Sequence, residues 1–576
     1  LEIRQSVKNL GSTNFEIQAL ETILPLPDNA EESMDFTGRW VKERQPQRRA
    51  IQSGMWVREV REGRTSHDYT ILQLAMTKAA NYQLGNVWAL GLGFSGNSRH
   101  VIEQAQSGRK FISAGELLLP GEVILEPNQV HQAPSVYAIY SNQGIDGISD
   151  RSYQWLRSRK IHPSSPRPLT LNVWEAVYFD HNLEKLSELA EVAQDIGVER
   201  FVLDDGWFGS RRSDNAGLGD WQVSQDVWPE GLGPLIKKVK SCGMQFGLWF
   251  EGEMVNPDSD LYRNHPDWIL KSGDRVPPEG RRQLVLDLTN PEAYQYILDS
   301  VDKILSEYEI DYIKWDHNRF LLEPASSGAP AVHAQTLAIY AIFNELKKRH
   351  PGLEIESCAS GGGRIDLGMA QFADRFWTSD CNDALERQYI QRYTQTVIPP
   401  ELLGSHIGPT TAHTSHRTHS LSFRAVTALF GHAGIEWDIT GCTDEEIAAL
   451  KSWADYYKAN RELLHSGKMI RVDQPNDEAF VHGVVAQDKS KAIFAYAALK
   501  ATSGSLPNTM QILGLEATAN YRVKLVEPAG SAFLIARKPP QWFDGVTLSG
   551  AALEKVGLKT PVLAPEQAFL VEAVRV

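Results

Sequence analysis

Apolar side chains recur at different periods in three stretches of the chain, and the period sets the element each stretch forms. Up to about residue 160, apolar and polar positions alternate over short runs such as Leu1-Glu-Ile-Arg-Gln-Ser-Val7, Phe15-Glu-Ile-Gln-Ala-Leu20 and Glu122-Val-Ile-Leu-Glu126. Turn formers, including Asn9-Leu-Gly11, Pro27-Asp-Asn29 and Asn97, separate them. Alternation at period two sends one side chain into a core and the next into water, which predicts antiparallel strands in a β-sandwich. The stretch Arg157–Pro168, rich in Pro, Ser and basic residues, reads as a linker.

Beyond residue 169 the grammar becomes strand, helix, strand, helix. Continuous apolar runs, the mark of strands buried on both faces, occur at Leu171–Tyr178, Phe201–Leu203, Gln245–Phe250, Leu284–Leu288, Tyr312–Trp315, Leu353–Glu356, Phe376–Thr378, Leu402–Ile407 and Gly434–Trp437. Helical segments intervene at Asn182–Ile196, Pro291–Tyr308 and Val332–Arg349, with Asn290 placed to cap the second ahead of Pro291. This alternation predicts an α/β fold, a (β/α)₈ barrel. Nine runs are one too many, and Leu284–Leu288 is the expected extra because it leads straight into the helix before Asp311. After residue 467 short β runs return at Ala479–Val485, Ala492–Tyr496, Tyr521–Leu525 and Phe569–Ala573, and predict an antiparallel C-terminal β-sandwich. The expected division is therefore 1–165, 166–466 and 467–576.

Composition narrows the function. The 576 residues suffice for two or three domains, and 42% hydrophobic with 23% charged residues is ordinary globular composition. A formal net charge of −14 offers no basic surface to a nucleic acid and suits neutral ligands. Cys242, Cys358, Cys381 and Cys442 lie too far apart for a disulfide framework or a C-x-x-C site, which points to a reducing, cytoplasmic setting. No apolar run approaches the roughly 18 residues needed to cross a bilayer. The start, Leu1-Glu-Ile-Arg4, is neither a signal peptide nor an initiator methionine, so residues are expected upstream of it. His406, His413, His416, His419 and His432 invite a metal reading, but no carboxylate or cysteine partner is arranged with them, and neither metal nor cofactor is expected.

The chemistry gathers where the barrel runs end. In Asp311-Tyr-Ile-Lys-Trp-Asp-His-Asn-Arg319 an apolar body gives way to Lys314, Asp316, Asn318 and Arg319, and Asp374-Arg-Phe-Trp-Thr-Ser-Asp380 likewise ends in a carboxylate. Trp174, Asp204-Asp205, Trp249 and Cys358-Ala-Ser-Gly-Gly-Gly-Arg364 occupy equivalent places. Parallel barrel strands bring such ends to one face. Retaining glycoside hydrolysis needs two carboxyls about 5–5.5 Å apart, one to attack the anomeric carbon. Asp316 and Asp380 are the candidate pair. Lys314, two residues from Asp316 and so on the same face of the strand, would keep Asp316 ionised. Asp380 has to rest protonated, with desolvation beside Trp377 as the expected means. Asp204 and Asp205 suit adjacent sugar hydroxyls, Trp174 and Trp249 a sugar ring, and the Ser360–Gly363 run a close approach of backbone to ligand.

Trp174-Glu-Ala-Val-Tyr-Phe179, Leu203-Asp-Asp-Gly-Trp207, Lys314-Trp-Asp-His-Asn-Arg319, Cys358-Ala-Ser-Gly-Gly-Gly-Arg364 and Trp377-Thr-Ser-Asp380 together resemble the motif set of the α-galactosidases of glycoside hydrolase family 36, in the same order and over the whole chain. The resemblance implies that Asp316 is the nucleophile and Asp380 the acid/base. It implies that Asp204 and Asp205 bind O4 and O6 of galactose, and that Lys314 and Arg281, with Arg282 as a competing neighbour, contact O3. Asn318, Cys358 and Gly361 would lie near O2, and Trp174, Trp249 and Trp377 would line the pocket. Where the family often reads Ser-Asp-Asn-Thr-Asp this chain has Ser379-Asp-Cys-Asn-Asp383, which makes Asp383 a competitor for the role of Asp380. The function so implied is an exo-acting, retaining α-galactosidase for melibiose- or raffinose-type oligosaccharides, a homo-oligomer and by resemblance a tetramer. The readings set against it are an α-N-acetylgalactosaminidase, a metal-dependent barrel hydrolase and a non-catalytic sugar-binding protein.

Overall fold

The structure is a computed structural model and describes residues 1–535 and 538–576. Eight parallel strands close into a barrel: β1 (Thr170–Asn172), β2 (Arg200–Leu203), β3 (Gln245–Phe250), β4 (Tyr312–Trp315), β5 (Glu354–Ser357), β6 (Arg375–Trp377), β7 (Leu403–Ile407) and β8 (His432–Ile435). Closure is made by β8 against β1, with Leu171 opposite Ile435. The ninth apolar run contributes only Leu284–Val285, which pairs antiparallel with Met254–Val255 outside the barrel. The first run is shorter than its apolar pattern. The Asn172 side chain accepts a hydrogen bond from the Trp174 amide at 2.8 Å, and the chain turns there into the short helix Trp174–Val177. Helices Leu183–Ile196 and Pro291–Glu307 start as expected, on Asn182 and Asn290, whose side chains accept from the Lys185 and Glu292 amides.

The N-terminal part is antiparallel, with a six-stranded and a four-stranded sheet as its two main layers. One hairpin matters for the site. Strands Glu32–Arg39 and Lys42–Ala50 pair along their length, and the tip between them reaches the barrel. Gly38 at the tip is required by space, since a Cβ there would lie 2.6 Å from the His67 carbonyl oxygen.

The C-terminal part is a six-stranded antiparallel sheet. Along Lys491–Ala498, Ile493, Ala495 and Ala497 join the core shared with the barrel. Ala492, Phe494, Tyr496 and Ala498 join a separate core with Met510, Ile512, Leu553 and Leu558. The far side of that second core is supplied by loops and a short helix, Gly550–Lys555, in place of the facing sheet expected from the sequence. The segment Ala501–Gly514, with its Gly, Ser and Pro residues, cannot sustain a ladder.

Candidate active site

The C-terminal ends of the barrel strands open into a cavity of about 830 Å³. Asp316 and Asp380 both line it, with Trp174, Asp204, Asp205, Trp249, Arg281, Lys314, Asn318 and Trp377.

Asp316 follows β4. Burial alone would favour its neutral form, but the Lys314 cation, the Asn318 amide, the Cys358 thiol and the His317 N–H outweigh burial and hold its carboxyl below the ordinary value. Asn318 Nδ2 donates to Oδ2 at 2.8 Å and the His317 amide to Oδ1 at 2.8 Å, while Trp249 Nε1 and the Ser360 amide approach at 3.3 and 3.2 Å. So many donors require an ionised acceptor.

Asp380 follows β6 and is shifted the other way. Burial first and the negative charge of Asp316 second push its carboxyl above the ordinary value. Trp377 Nε1 donates to Oδ1 at 3.1 Å and Trp40 Nε1 to Oδ2 at 2.9 Å. Two carboxyls in one cavity whose surroundings drive their proton affinities apart define a base or nucleophile and an acid.

The remaining predicted residues separate into wall and support. Asp204 accepts from Lys314 Nζ at 2.8 Å and from Asn172 Nδ2 at 2.7 Å, and this pairing overcomes burial to raise the Lys314 pKa. Asp205 is gripped by Arg211, Nη2 at 2.8 Å from Oδ2 and Nε at 3.0 Å from Oδ1. Arg281 faces the cavity and lies 3.5 Å from Asp214, whereas Arg282 is off the wall and its carbonyl accepts from Asn256. Cys358 and Gly361, expected at the ligand, lie behind the wall. Cys358 supports Asp316 with its thiol, and Gly361 has φ +77° and leaves no room for a Cβ, which would sit 2.4 Å from the Asp380 amide. The loop after β5 passes beneath the segment Thr378–Asp380 that follows β6, and Ser360 is the residue of that run that reaches the wall. Asp383 does not compete with Asp380: it caps helix Ala384–Thr394 and pairs with Arg417 at 2.8 Å.

Four of the five histidines that invited a metal reading have separate partners. His406 bridges Glu436 at 2.9 Å and Arg375 at 2.8 Å, His432 meets the Pro168 carbonyl at 2.7 Å, and His419 pairs with Glu566 at 2.9 Å. His413 lies at the cavity mouth against Tyr178. Among the described residues no group of three or more His, Cys, Asp or Glu side chains is arranged to hold a metal.

Five residues escaped the sequence reading. Glu251, next after β3, accepts from the Asn318 amide at 2.6 Å, and burial and Asp316 push it up to about 8. Glu436, next after β8, is pushed up to about 7 by burial and shares the Asn382 amide with Glu175 at 3.3 and 3.1 Å. These three carboxyls stand at strand ends, so the rule that found Asp316 reaches them too. Arg211 and Trp40 carry no such signal, because loop and hairpin bring them in.

A parallel barrel that presents one carboxyl held below and one pushed above the ordinary proton affinity to a single polar, tryptophan-walled cavity has the arrangement of a two-carboxyl glycoside hydrolase. Comparison with known proteins narrows the class. The Melibiase family model matches residues 130–467, and the glycosyl hydrolase family 36 N-terminal and C-terminal domain models match residues 1–126 and 480–572. The chain belongs to glycosyl hydrolase family 36. It is 42% identical to an α-galactosidase of Escherichia coli, over 99% of this chain and 82% of that one. To the α-galactosidase AgaA of Geobacillus stearothermophilus it is 36% identical, over 90% of this chain and 72% of that one. A variant of AgaA solved in complex with raffinose superimposes with a TM-score of 0.89 at 33% identity, covering 96% of this chain and 76% of that one. Another variant, in complex with stachyose, gives 0.91 at 32% identity, covering 99% and 79%.

Proposed function

We propose that this α-galactosidase is exo-acting and releases terminal α-linked galactose from melibiose- and raffinose-type oligosaccharides, with retention, by double displacement. Asp316 attacks the anomeric carbon from the β face while Asp380 gives its proton to the departing glycosidic oxygen, leaving a β-galactosyl ester on Asp316. Asp380, now ionised, takes a proton from water as that water attacks the same carbon, so two inversions restore the α configuration. The observation that carries this reading is that two carboxyls lining one cavity have surroundings that shift their proton affinities in opposite directions. Lys314, paired to Asp204, and Asp205, held by Arg211, present fixed donors and acceptors to the galactose hydroxyls. The raffinose and stachyose complexes of AgaA variants support the substrate class. An N-acetylgalactosamine substrate is not favoured, since the relatives of this chain are α-galactosidases and a variant of AgaA was solved with raffinose.

The four free cysteines support a cytoplasmic setting. Raffinose hydrolysis followed by proton NMR tests the mechanism: α-galactose is expected as the first-formed anomer, and β-galactose would overturn it. A 2-deoxy-2-fluorogalactosyl inactivator is expected to label the peptide containing Asp316, and label on any other residue overturns Asp316 as the nucleophile.

A further inference from the structure

The hairpin that reaches the barrel is anchored beneath the segment Thr378–Asp380. Glu43 and Arg44, with exposures of 0% and 1%, are buried there; Glu43 accepts from Ser379 Oγ at 2.8 Å and Arg44 donates to the Gly362 carbonyl. Lys42 pairs with Glu386 at 3.3 Å nearer the surface. This anchoring holds Trp40 at the tip with its ring half exposed at the cavity and its Nε1 on Asp380 Oδ2, a contact between residues 340 positions apart. Each oxygen of Asp380 therefore meets an indole N–H, one from the barrel and one from the N-terminal part.

An indole N–H donates and cannot accept. The proton of a neutral Asp380 consequently has no acceptor on either tryptophan and is directed into the cavity. When it leaves, both N–H groups stabilise the carboxylate that remains, the form needed to activate water.

We propose that Trp40 is a positioning residue of the acid/base: its indole N–H orients the Asp380 carboxyl for proton delivery and stabilises the carboxylate between the two steps. The proposal rests on Asp380 being the acid/base. The charged and titratable groups that face Asp380 are Asp316 and Lys314 from β4, Arg281 from the loop after β3, Glu43 from the hairpin, Glu175 after β1, Cys358 after β5 and Arg387 from helix Ala384–Thr394. A change confined to Trp40 leaves all of them in place.

Trp40→Phe in the full chain keeps a ring and removes the donor. Its kcat/KM against pH, measured on raffinose, whose leaving group needs the proton, is expected to keep the acid limb of Asp316 and to move the alkaline limb of Asp380 upward by roughly half to one pH unit, the size of one lost hydrogen bond. On raffinose kcat is expected to fall about three- to tenfold with KM within about twofold. Limbs that superimpose on those of the parent, or a change in KM alone, overturn the proposal. Lys42→Ala loosens the hairpin but leaves the indole, and an alkaline shift as large as that of W40F would assign the effect to docking of the hairpin and overturn it as well. Circular dichroism verifies the fold of W40F, and Trp40→Met, equally without a donor, takes its place in the test if W40F fails to fold. D380N separates the two assignments: raffinose activity and an alkaline limb that survive in D380N remove the acid/base reading itself, whatever W40F shows.

Discussion

Buried carboxyls at the two ends of the barrel are in opposite electrostatic situations. At the N-terminal end Glu354, the first residue of β5, accepts from Arg167 Nη1 and Arg200 Nη2, each at 2.8 Å, and despite burial these cations hold its carboxyl at about 2. At the C-terminal end burial wins at all of the following but not at Asp316, which its donors hold low: Glu251 is pushed up to about 8, and Glu43 and Glu436 to about 7. The consequences for stability have opposite signs. A carboxyl lowered to about 2 from the usual 4.5 adds stability that is complete above pH 4.5 and is lost as the pH falls toward 2. A carboxyl raised to about 8 from 4.5 binds more protons folded than unfolded between those values, so stability falls as pH rises across that window. One end uses its charges to hold the barrel shut. The other gives up stability to keep proton affinities spread around the substrate, as functional sites commonly do.

The sharpest break of this comparison is Asp316→Ala, expected to lower kcat on p-nitrophenyl α-galactoside by about 10⁴-fold or more. A variant that keeps ordinary turnover would show that the nucleophile lies elsewhere. Asp380→Asn is next, with a loss of roughly 10²- to 10⁴-fold on raffinose and a smaller one on the nitrophenyl substrate, whose leaving group needs no proton. Equal losses on both would deny Asp380 the role of acid. At the other end Glu354→Gln should do the converse: about 3 kcal/mol of stability lost, because Arg167 and Arg200 are left without a countercharge, and kcat/KM within about twofold of the parent. A large change in kcat/KM with unchanged Tm would erase the division of labour. The mildest case is Glu251→Gln, expected to melt higher than the parent at pH 8 and to match it at pH 5, since only the parent must keep a proton on this group as the pH rises. Melting curves that differ equally at both pH values would remove the titration argument.

Much of the site was legible because the barrel converts sequence into geometry. A residue just after an apolar run of strand type lands on the catalytic face, which is why Asp204, Lys314, Asp316, Trp249 and Asp380 all line one cavity. The rule fails where the chain leaves the strand. Cys358 begins the loop after β5, and that loop's course below Asp380, made possible by Gly361, turns an expected ligand contact into a support for Asp316. Asp383 and Asp380, three residues apart, were rivals on paper and are separated in space because one caps a helix. The C-terminal strands were found from their alternation, but the layer covering them was not, since loops and a short helix leave no periodic trace.

The order of apolar runs, the residues at their ends and the caps that start the helices are local properties, settled by the period of side chains and by backbone hydrogen-bonding needs. The amino-acid sequence by itself therefore determined the barrel and the carboxyl pair. Only the tertiary structure decided how those carboxyls differ in proton affinity and that Trp40, from a hairpin 340 positions away, reaches Asp380. Proton affinity depends on what surrounds a charge in three dimensions, and close contacts between distant segments arise only when the packed chain brings them together.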